Sequence, residues 1–319
     1  MLRLITGPAG AGKTDALAGE IRELIKAKKN GIFFIVPEQF SHEAERELCA
    51  RCGDSLSLYA EVLSFTSLAR KLRAECGETA QAFLDGGGRL LSMAVAVKRL
   101  KGVLRYYSDA FERTDLQKQL LQAVDTMKQS CLSSAQLNEA SAKCRGDLAD
   151  KLRDLADIAE AYSAVVENSG ADPSDAMALL ARQIPGSSIG ENSRIYIDGF
   201  SDFTAAELAV IKEMLKAGAE VTVCLTLDAL NGRNEIFALQ RSAANALNEI
   251  AEELGVERQV SSVNAGSQST AVSFAENMFS FTEDILPGAE RIELLKAQTV
   301  AEECELAASK AIELVRETG

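Results

Sequence analysis

Long apolar runs are missing from this sequence. No stretch of eighteen apolar residues occurs in its 319, which argues against a transmembrane helix. The first residues read as a strand and a glycine loop rather than as a charged-then-apolar leader. Nothing marks the chain for membrane or export, and the cytoplasm is its expected place. Proline is scarce, with none between Pro37 and Pro173. His42 is the only histidine and reads as an exposed polar residue. The seven cysteines are odd in number and scattered, in a chain too large to need disulfide staples, so they read as reduced thiols. Cys49 and Cys52 form a CxxC, but "RELCARC" has a helical look and no second pair follows, which leaves no metal or redox centre assigned.

Basic charge is also short. Against 47 acidic residues there are 34 basic ones, a net charge of −13, which argues against a protein that coats duplex DNA by general attraction. A local nucleic-acid groove would have to draw on Arg70, Lys71 and Arg73, or on Lys98, Arg99, Lys101 and Arg105. By spacing alone each cluster reads first as a solvated helix face.

What is present is a core. With 47% hydrophobic residues the chain can bury one large core or two modest ones. Leu2 to Ile5 and "GIFFIVP" (Gly31 to Pro37) read as buried strands, and "LYAEVLSF" (Leu58 to Phe65) contains a third. Between the first two, Leu17, Ile21, Leu24 and Ile25 share one helical face and Asn30-Gly31 is a stop signal. This β-α-β unit predicts parallel strands.

From about residue 80 to 184 the pattern is helical throughout, with helices expected at Arg89–Tyr107, Asp115–Ser130, Asp147–Asn168 and Pro173–Gln183. Asp172 is the N-cap of the last. Strand signals return at Arg194–Asp198 and Val221–Leu227, separated by a helix with the capping box Thr204/Glu207 and the stop Gly218. A helix from Ile236 to Leu254, a serine-rich polar stretch, a strand candidate at Arg291–Ala297 and a terminal helix complete the reading. The expected organisation is one α/β domain in two parts, 1–78 and 189–319, interrupted by an all-helical insertion, 79–188.

The residues that carry chemistry stand at the start. "GPAGAGKT" comprises Gly7, Pro8, Ala9, Gly10, Ala11, Gly12, Lys13 and Thr14, and it fits G-x-x-x-x-G-K-[ST] directly after a strand and at the opening of a helix. Such a loop turns successive backbone N–H groups around phosphate oxygens, with the lysine reaching the β and γ phosphates of ATP and the threonine hydroxyl holding Mg2+. A phosphate loop of this kind also needs a carboxylate at the end of a neighbouring strand, and "RIYIDGF" supplies Asp198 for the metal.

These segments together resemble the AddB subunit of bacterial AddAB helicase-nucleases, a relative of the UvrD-like superfamily I helicases. The carriers are "GPAGAGKT", "VPEQFSHEAERELCAR" (Val36 to Arg51), "VLSFTSLARKL" (Val62 to Leu72), "IYIDGFSDFTAAEL" (Ile195 to Leu208) and "EIFALQRSAANALNEIAEELG" (Glu235 to Gly255). The resemblance runs over essentially the whole chain. It implies a RecA-like P-loop NTPase fold with a parallel sheet, ATP and Mg2+ as ligands, single-stranded DNA as substrate and a heterodimeric AddA-like partner, in the repair and recombination of DNA double-strand breaks. It also implies candidate DNA contacts. Gln39 and Ser41 stand in the first such motif, and Ser64 and Thr66 in "SFTS", similar to the helicase element TFHS, with Arg70 just beyond. All five also fit plain loop-and-helix packing.

The departures from the pattern carry as much weight. Helicases of this superfamily read D-E-x-Q at the second magnesium motif, where the chain reads Asp198-Gly199-Phe200-Ser201. The strand "CLTLDAL" lacks the glutamine that senses the γ-phosphate, and no adenine-reading glutamine motif precedes the first strand. The resemblance therefore implies a degraded motor that binds ATP. It also implies a longer parent protein, because "AEECELAASKAIELVRETG" resembles the helix leading to a second motor domain. The family's nuclease domain and iron-sulfur cluster are expected only in that further part, and the cluster maps onto none of the seven cysteines. Two other readings of the residues are a P-loop small-molecule or nucleoside kinase with the helical insert as a lid, and a nonenzymatic scaffold with a vestigial nucleotide site.

Overall fold

The computed structural model describes residues 1–53, 55–77, 83–232, 234–263 and 293–318. It divides into two compact units, 1–265 and 266–319. The first is built on a six-stranded sheet in the order β3-β2-β4-β5-β1-β6, formed by β1 (Leu2–Gly7), β2 (Ile32–Ile35), β3 (Ala60–Leu63), β4 (Arg194–Ile197), β5 (Glu220–Thr226) and β6 (Arg258–Ser262). Every pairing is parallel. The α/β class and the parallel sheet expected from the β-α-β pattern are thus observed.

Because successive side chains alternate across a strand, each strand feeds two cores. Leu2, Leu4, Phe33, Ile35, Ile195, Ile197, Val221, Val223 and Leu225 face one side. They pack there with α4 (Phe65–Glu75), α9 (Ala176–Gln183), α10 (Ala205–Lys216) and α11 (Ala238–Leu254). Ile5, Ile32, Phe34, Tyr196 and Cys224 face the other, where Leu17, Ala18, Ile21 and Ile25 of α1 (Lys13–Lys26) and Leu48 of α2 (Ser41–Cys52) cover them. A short helix, α3 (Leu56–Tyr59), precedes β3.

Between β3 and β4 lie α5 (Gly86–Arg99), α6 (Thr114–Gln129), α7 (Ser134–Lys143) and α8 (Asp147–Val166). They enclose a core of their own around Met93, Val97, Leu120, Val124, Ile158 and Tyr162. The chain returns to the sheet through Asp172, whose carboxylate accepts from the Ser174 N–H with Pro173 in the first turn. The capping box Thr204/Glu207 opens α10 as expected.

Several boundaries differ from the sequence reading. The helix expected to reach Tyr107 ends at Arg99. The buried Asp154 carboxylate, on α8, accepts hydrogen bonds from the N–H groups of Arg105, Tyr106 and Tyr107 at 2.8–2.9 Å. Those donors would otherwise bond within a helix. Helix α7 was not expected, although Ser133 and Gln136 form a complete capping box. The sixth strand is Arg258–Ser262, exposed along its whole length, in a stretch expected to lack strand. Of the strand candidate Arg291–Ala297, residues 291 and 292 lie outside the described residues, and 293–297 carry no strand. The terminal helix is Val300–Thr318.

Candidate functional site

In a parallel sheet the carboxyl ends of the strands form one edge, and this is where open α/β sheets hold ligands. Here that edge gathers the loop after β1, Pro37 to Phe40 after β2, Ser64 after β3, Asp198 after β4 and Leu227 after β5. The glycine loop after β1 leads straight into α1, whose N-cap is Gly12. It is folded tightly against the sheet. The Gly7 carbonyl accepts from the Leu227 N–H at 3.2 Å, and a β-carbon on Gly7 would collide with the Val263 carbonyl oxygen, so this close approach requires glycine.

Lys13 is buried, 8% exposed, and its ammonium donates to the Gly7 and Pro8 carbonyls at 2.9 and 2.7 Å. Burial lowers its pKa below the ordinary lysine value, against the opposing influence of Cys224 and Asp198. Cys224, on β5 beneath the loop, has its thiol pushed well up by burial and by the nearby Asp198 charge. It is therefore an inert neutral group. Across β5 from the loop, the Thr14 hydroxyl donates to Asp198 Oδ2 at 2.6 Å, while Asp198 Oδ1 accepts from the Gly199 N–H at 2.8 Å. Two residues 184 positions apart are thus joined at one point. A hydroxyl and a carboxylate oxygen are the hard donors Mg2+ takes.

Gly199 has φ +82° and would place a β-carbon 3.2 Å from Pro37 Cδ. The turn after Asp198 is therefore built for glycine.

The five residues compared with DNA-contacting motifs lie along the same edge but are not alike. Ser64 is buried, 3% exposed. It caps α4 by accepting from the Ser67 N–H at 3.1 Å, and its hydroxyl is bonded to the Glu38 carboxylate. Arg70 is exposed, 3.9 Å from Glu38 and 3.4 Å from the Ser67 hydroxyl. Thr66 is exposed and lines a cavity of about 250 Å3 with Arg70, Arg73, Phe83 and Leu179. Gln39 is exposed on the turn before α2, and the Ser41 hydroxyl donates to the Glu38 carbonyl at 2.8 Å. Glu38, which the sequence reading passed over, is the hub that joins the loops after β2 and β3. Only its place inside "VPEQF" hinted at it. His42 is exposed, and Cys49 and Cys52 are both free thiols.

Among the described residues no helix is long and apolar enough to cross a membrane. Residues 4–277 match the family model described as "ADDB, N-terminal". Three similar curated proteins, each named as a subunit of an ATP-dependent helicase/deoxyribonuclease, come from Desulforudis audaxviator, Geobacillus kaustophilus and Clostridium acetobutylicum. They are 30%, 30% and 27% identical over 100%, 100% and 99% of this chain. The chain spans 29%, 29% and 28% of their respective lengths.

Proposed function

The chain belongs to the ADDB N-terminal family, and from that premise we propose that it is the ATP-binding, RecA-like part of a helicase/deoxyribonuclease subunit. In this reading Gly7 to Thr14 hold the phosphates of ATP on backbone N–H groups, and Thr14 and Asp198 hold Mg2+. Lys13 exchanges its bonds to the Gly7 and Pro8 carbonyls for phosphate oxygens. The bound ion supplies positive charge to the phosphate oxygens. The observation that carries the reading is the Thr14–Asp198 contact of 2.6 Å beside a glycine loop that joins strand to helix, the arrangement a nucleotide phosphate and its metal require.

The motor is a weakened one. Gly199 offers no carboxylate to activate a water directly after Asp198, and its positive φ and 3.2 Å approach to Pro37 make a side chain there strained. The role that fits is nucleotide binding that orders the edge of the sheet. That edge carries Gln39, Ser41, Thr66 and Arg70, with Ser64 buried behind them as the cap of α4, and guides a single strand of DNA, while an AddA-like partner subunit supplies motor work in double-strand break repair in the cytoplasm. Gly199 equally favours a scaffold that keeps a nucleotide site without turnover.

Isothermal titration of the chain with ATP and Mg2+ tests the core of this reading. Binding is expected, and Lys13→Ala weakens it by about a hundredfold, the worth of one to two charge-assisted hydrogen bonds. ATP binding indifferent to Lys13→Ala, or no binding at all, overturns it.

A further inference from the structure

From residue 86 to 108 the chain holds no aspartate or glutamate, although its net charge is −13. The same stretch carries Arg89, Lys98, Arg99, Lys101 and Arg105. Arg89 is taken up inside the helical segment, against Asp125 and Asp172. The other four are exposed, on the last turn of α5 and the turn that follows it. Among the described residues the side chains of Lys98 and Arg99 have no ion pair, hydrogen bond or ring contact. Lys101 lies 4.3 Å from the centre of the Phe111 ring and has no carboxylate partner.

The turn that presents these cations is fixed. The buried Asp154 carboxylate of α8 takes the N–H groups of Arg105, Tyr106 and Tyr107 at 2.8–2.9 Å, and charge-assisted bonds of that kind hold a backbone in one place. Val103 and Tyr106 stand out from it, 57% and 47% exposed. Helix α8 adds Lys151, 5.7 Å from the centre of the Tyr106 ring. The first turn of α8 carries Asp147 and Asp150. Asp150 is shared by Arg105 and Arg153 at 3.3 and 3.2 Å. Cations therefore remain in excess at this end of an acidic chain.

Exposed cations without partners, held in one geometry, are the footprint of a polyanion. Duplex DNA offers one negative charge per about 1.7 Å of its axis, so cations on one helical turn and the next loop each meet a phosphate. A single strand is held by stacking its bases on free rings. Here Tyr106 is engaged by Lys151 and edge-on by Tyr107 at 5.0 Å, and Phe111 by Lys101, which favours phosphates over bases. The start of α5 also has a telling place. Leu84 donates its N–H to the Ala171 carbonyl at 2.9 Å, and Phe83 lines the cavity shared with Thr66 and Arg70. From there the 14 residues of α5 carry the chain about 21 Å, the length of about six base pairs.

We propose that Lys98, Arg99 and Lys101, with Arg105 and Lys151, bind the phosphate backbone of duplex DNA about six base pairs from the single-strand path along the sheet edge. The contact is independent of base sequence. It rests on the reading of the chain as a DNA-processing subunit.

The test is the salt dependence of binding, measured by fluorescence anisotropy with a labelled blunt duplex and, separately, a labelled single-stranded oligonucleotide. In the triple variant Lys98→Gln, Arg99→Gln, Lys101→Gln the slope of log affinity against log salt on the duplex falls by about 2.7, about 0.9 for each of three phosphates. The single-strand slope and Lys13-dependent ATP binding stay as in the wild type. The variant Lys28→Gln, Lys29→Gln, Lys118→Gln takes the same charge from exposed positions elsewhere and keeps the duplex slope. Urea unfolding of both variants matches the wild type, because every replaced side chain is exposed. A duplex slope that falls by less than about 0.9 in the first variant, under one phosphate contact, or by as much in the second as in the first, overturns the inference. So does polyglutamate that displaces the duplex as well as unlabelled duplex of equal charge, which marks a surface for an acidic protein. A wild type that binds the single strand and not the duplex overturns it and leaves the reading of the sheet edge standing. One that binds neither overturns both.

Discussion

Asp172 is the residue whose loss the helical segment should tolerate least. Its carboxylate is fully buried at the point where α8 returns toward the sheet, and four groups converge on it. Arg89 Nε and Lys128 Nζ each lie at 2.8 Å, the Tyr162 hydroxyl donates at 2.9 Å, and the Ser174 N–H donates at 3.0 Å. The arrangement ties α5, α6 and α8 to the turn that opens α9. Burial alone would raise the Asp172 pKa, but Lys128 and Ser174 outweigh it and bring it down from 3.8 to about 2. A carboxyl whose folded pKa is depressed contributes stability above its unfolded value and loses it as pH falls through the folded one. The contribution here is about 2 kcal/mol, present above pH 4 and lost toward pH 2. Asp172→Asn keeps the shape and removes the charge. Two mostly buried cations then keep Asp125 and Asp175 as their one carboxylate partner each. Breaking such a pair from one side costs about 3–5 kcal/mol, and because each cation retains one partner the lower end, about 3 kcal/mol, is expected. Urea unfolding of both proteins from pH 7 to pH 2.5 measures it. The gap between them should be widest at neutral pH and narrow on acidification. A gap under about 1 kcal/mol at pH 7, below any of the costs of a broken buried pair, or one that widens with acid, refutes the reasoning.

Ser64 and its neighbours should separate cleanly. Ser64→Ala removes the cap of α4 and leaves Glu38 without its hydroxyl partner, so thermal or urea unfolding should show a loss of about 1 kcal/mol. If stability is unchanged, the cap is not what holds Ser64. Arg70→Ala, at an exposed side chain, should leave stability alone. It should weaken binding of a single-stranded oligonucleotide and lower the salt slope of that binding by about 0.7, one phosphate contact fewer. An unchanged slope would remove Arg70 from the DNA path.

What could be read from the sequence was what is local or strongly periodic. The strand-glycine loop-helix succession is encoded within residues 2–26, and both faces of β1, β2, β4 and β5 are apolar enough to show as buried runs. Parallel pairing then follows from the crossover. The misses share one physical cause, which is that the deciding contact is remote. Helix α5 stops because of Asp154, about fifty residues further on, which collects the N–H groups of Arg105 to Tyr107. Among the described residues strand β6 pairs with β1 alone and is exposed throughout, so "RQVSS" has no hydrophobic reason to look like a strand. Glu38 and Ser64 are polar loop residues in sequence, and their bond exists only because β2 and β3 are neighbours.

That same neighbourhood explains why scattered motifs hold together as a set. Four blocks separated by long stretches of chain meet at the carboxyl edge through direct contacts. Thr14 of the glycine loop bonds Asp198, Pro37 of "VPEQF" abuts Gly199 of "IDGF", and Glu38 of the same block bonds Ser64 of "SFTS". The ring of Phe65 meets that of Phe200 edge-on at 5.6 Å, which closes the circle from "SFTS" back to "IDGF". Placing a glutamate at position 199 would set its β-carbon 3.2 Å from Pro37 at a positive φ, at a cost of about 1–2 kcal/mol for the backbone alone, and would press on the loop that presents Glu38 and Gln39. Gly199 and Pro37 are therefore a matched pair, and the glycine after Asp198 is tied to the loop after β2 as well as to its own position.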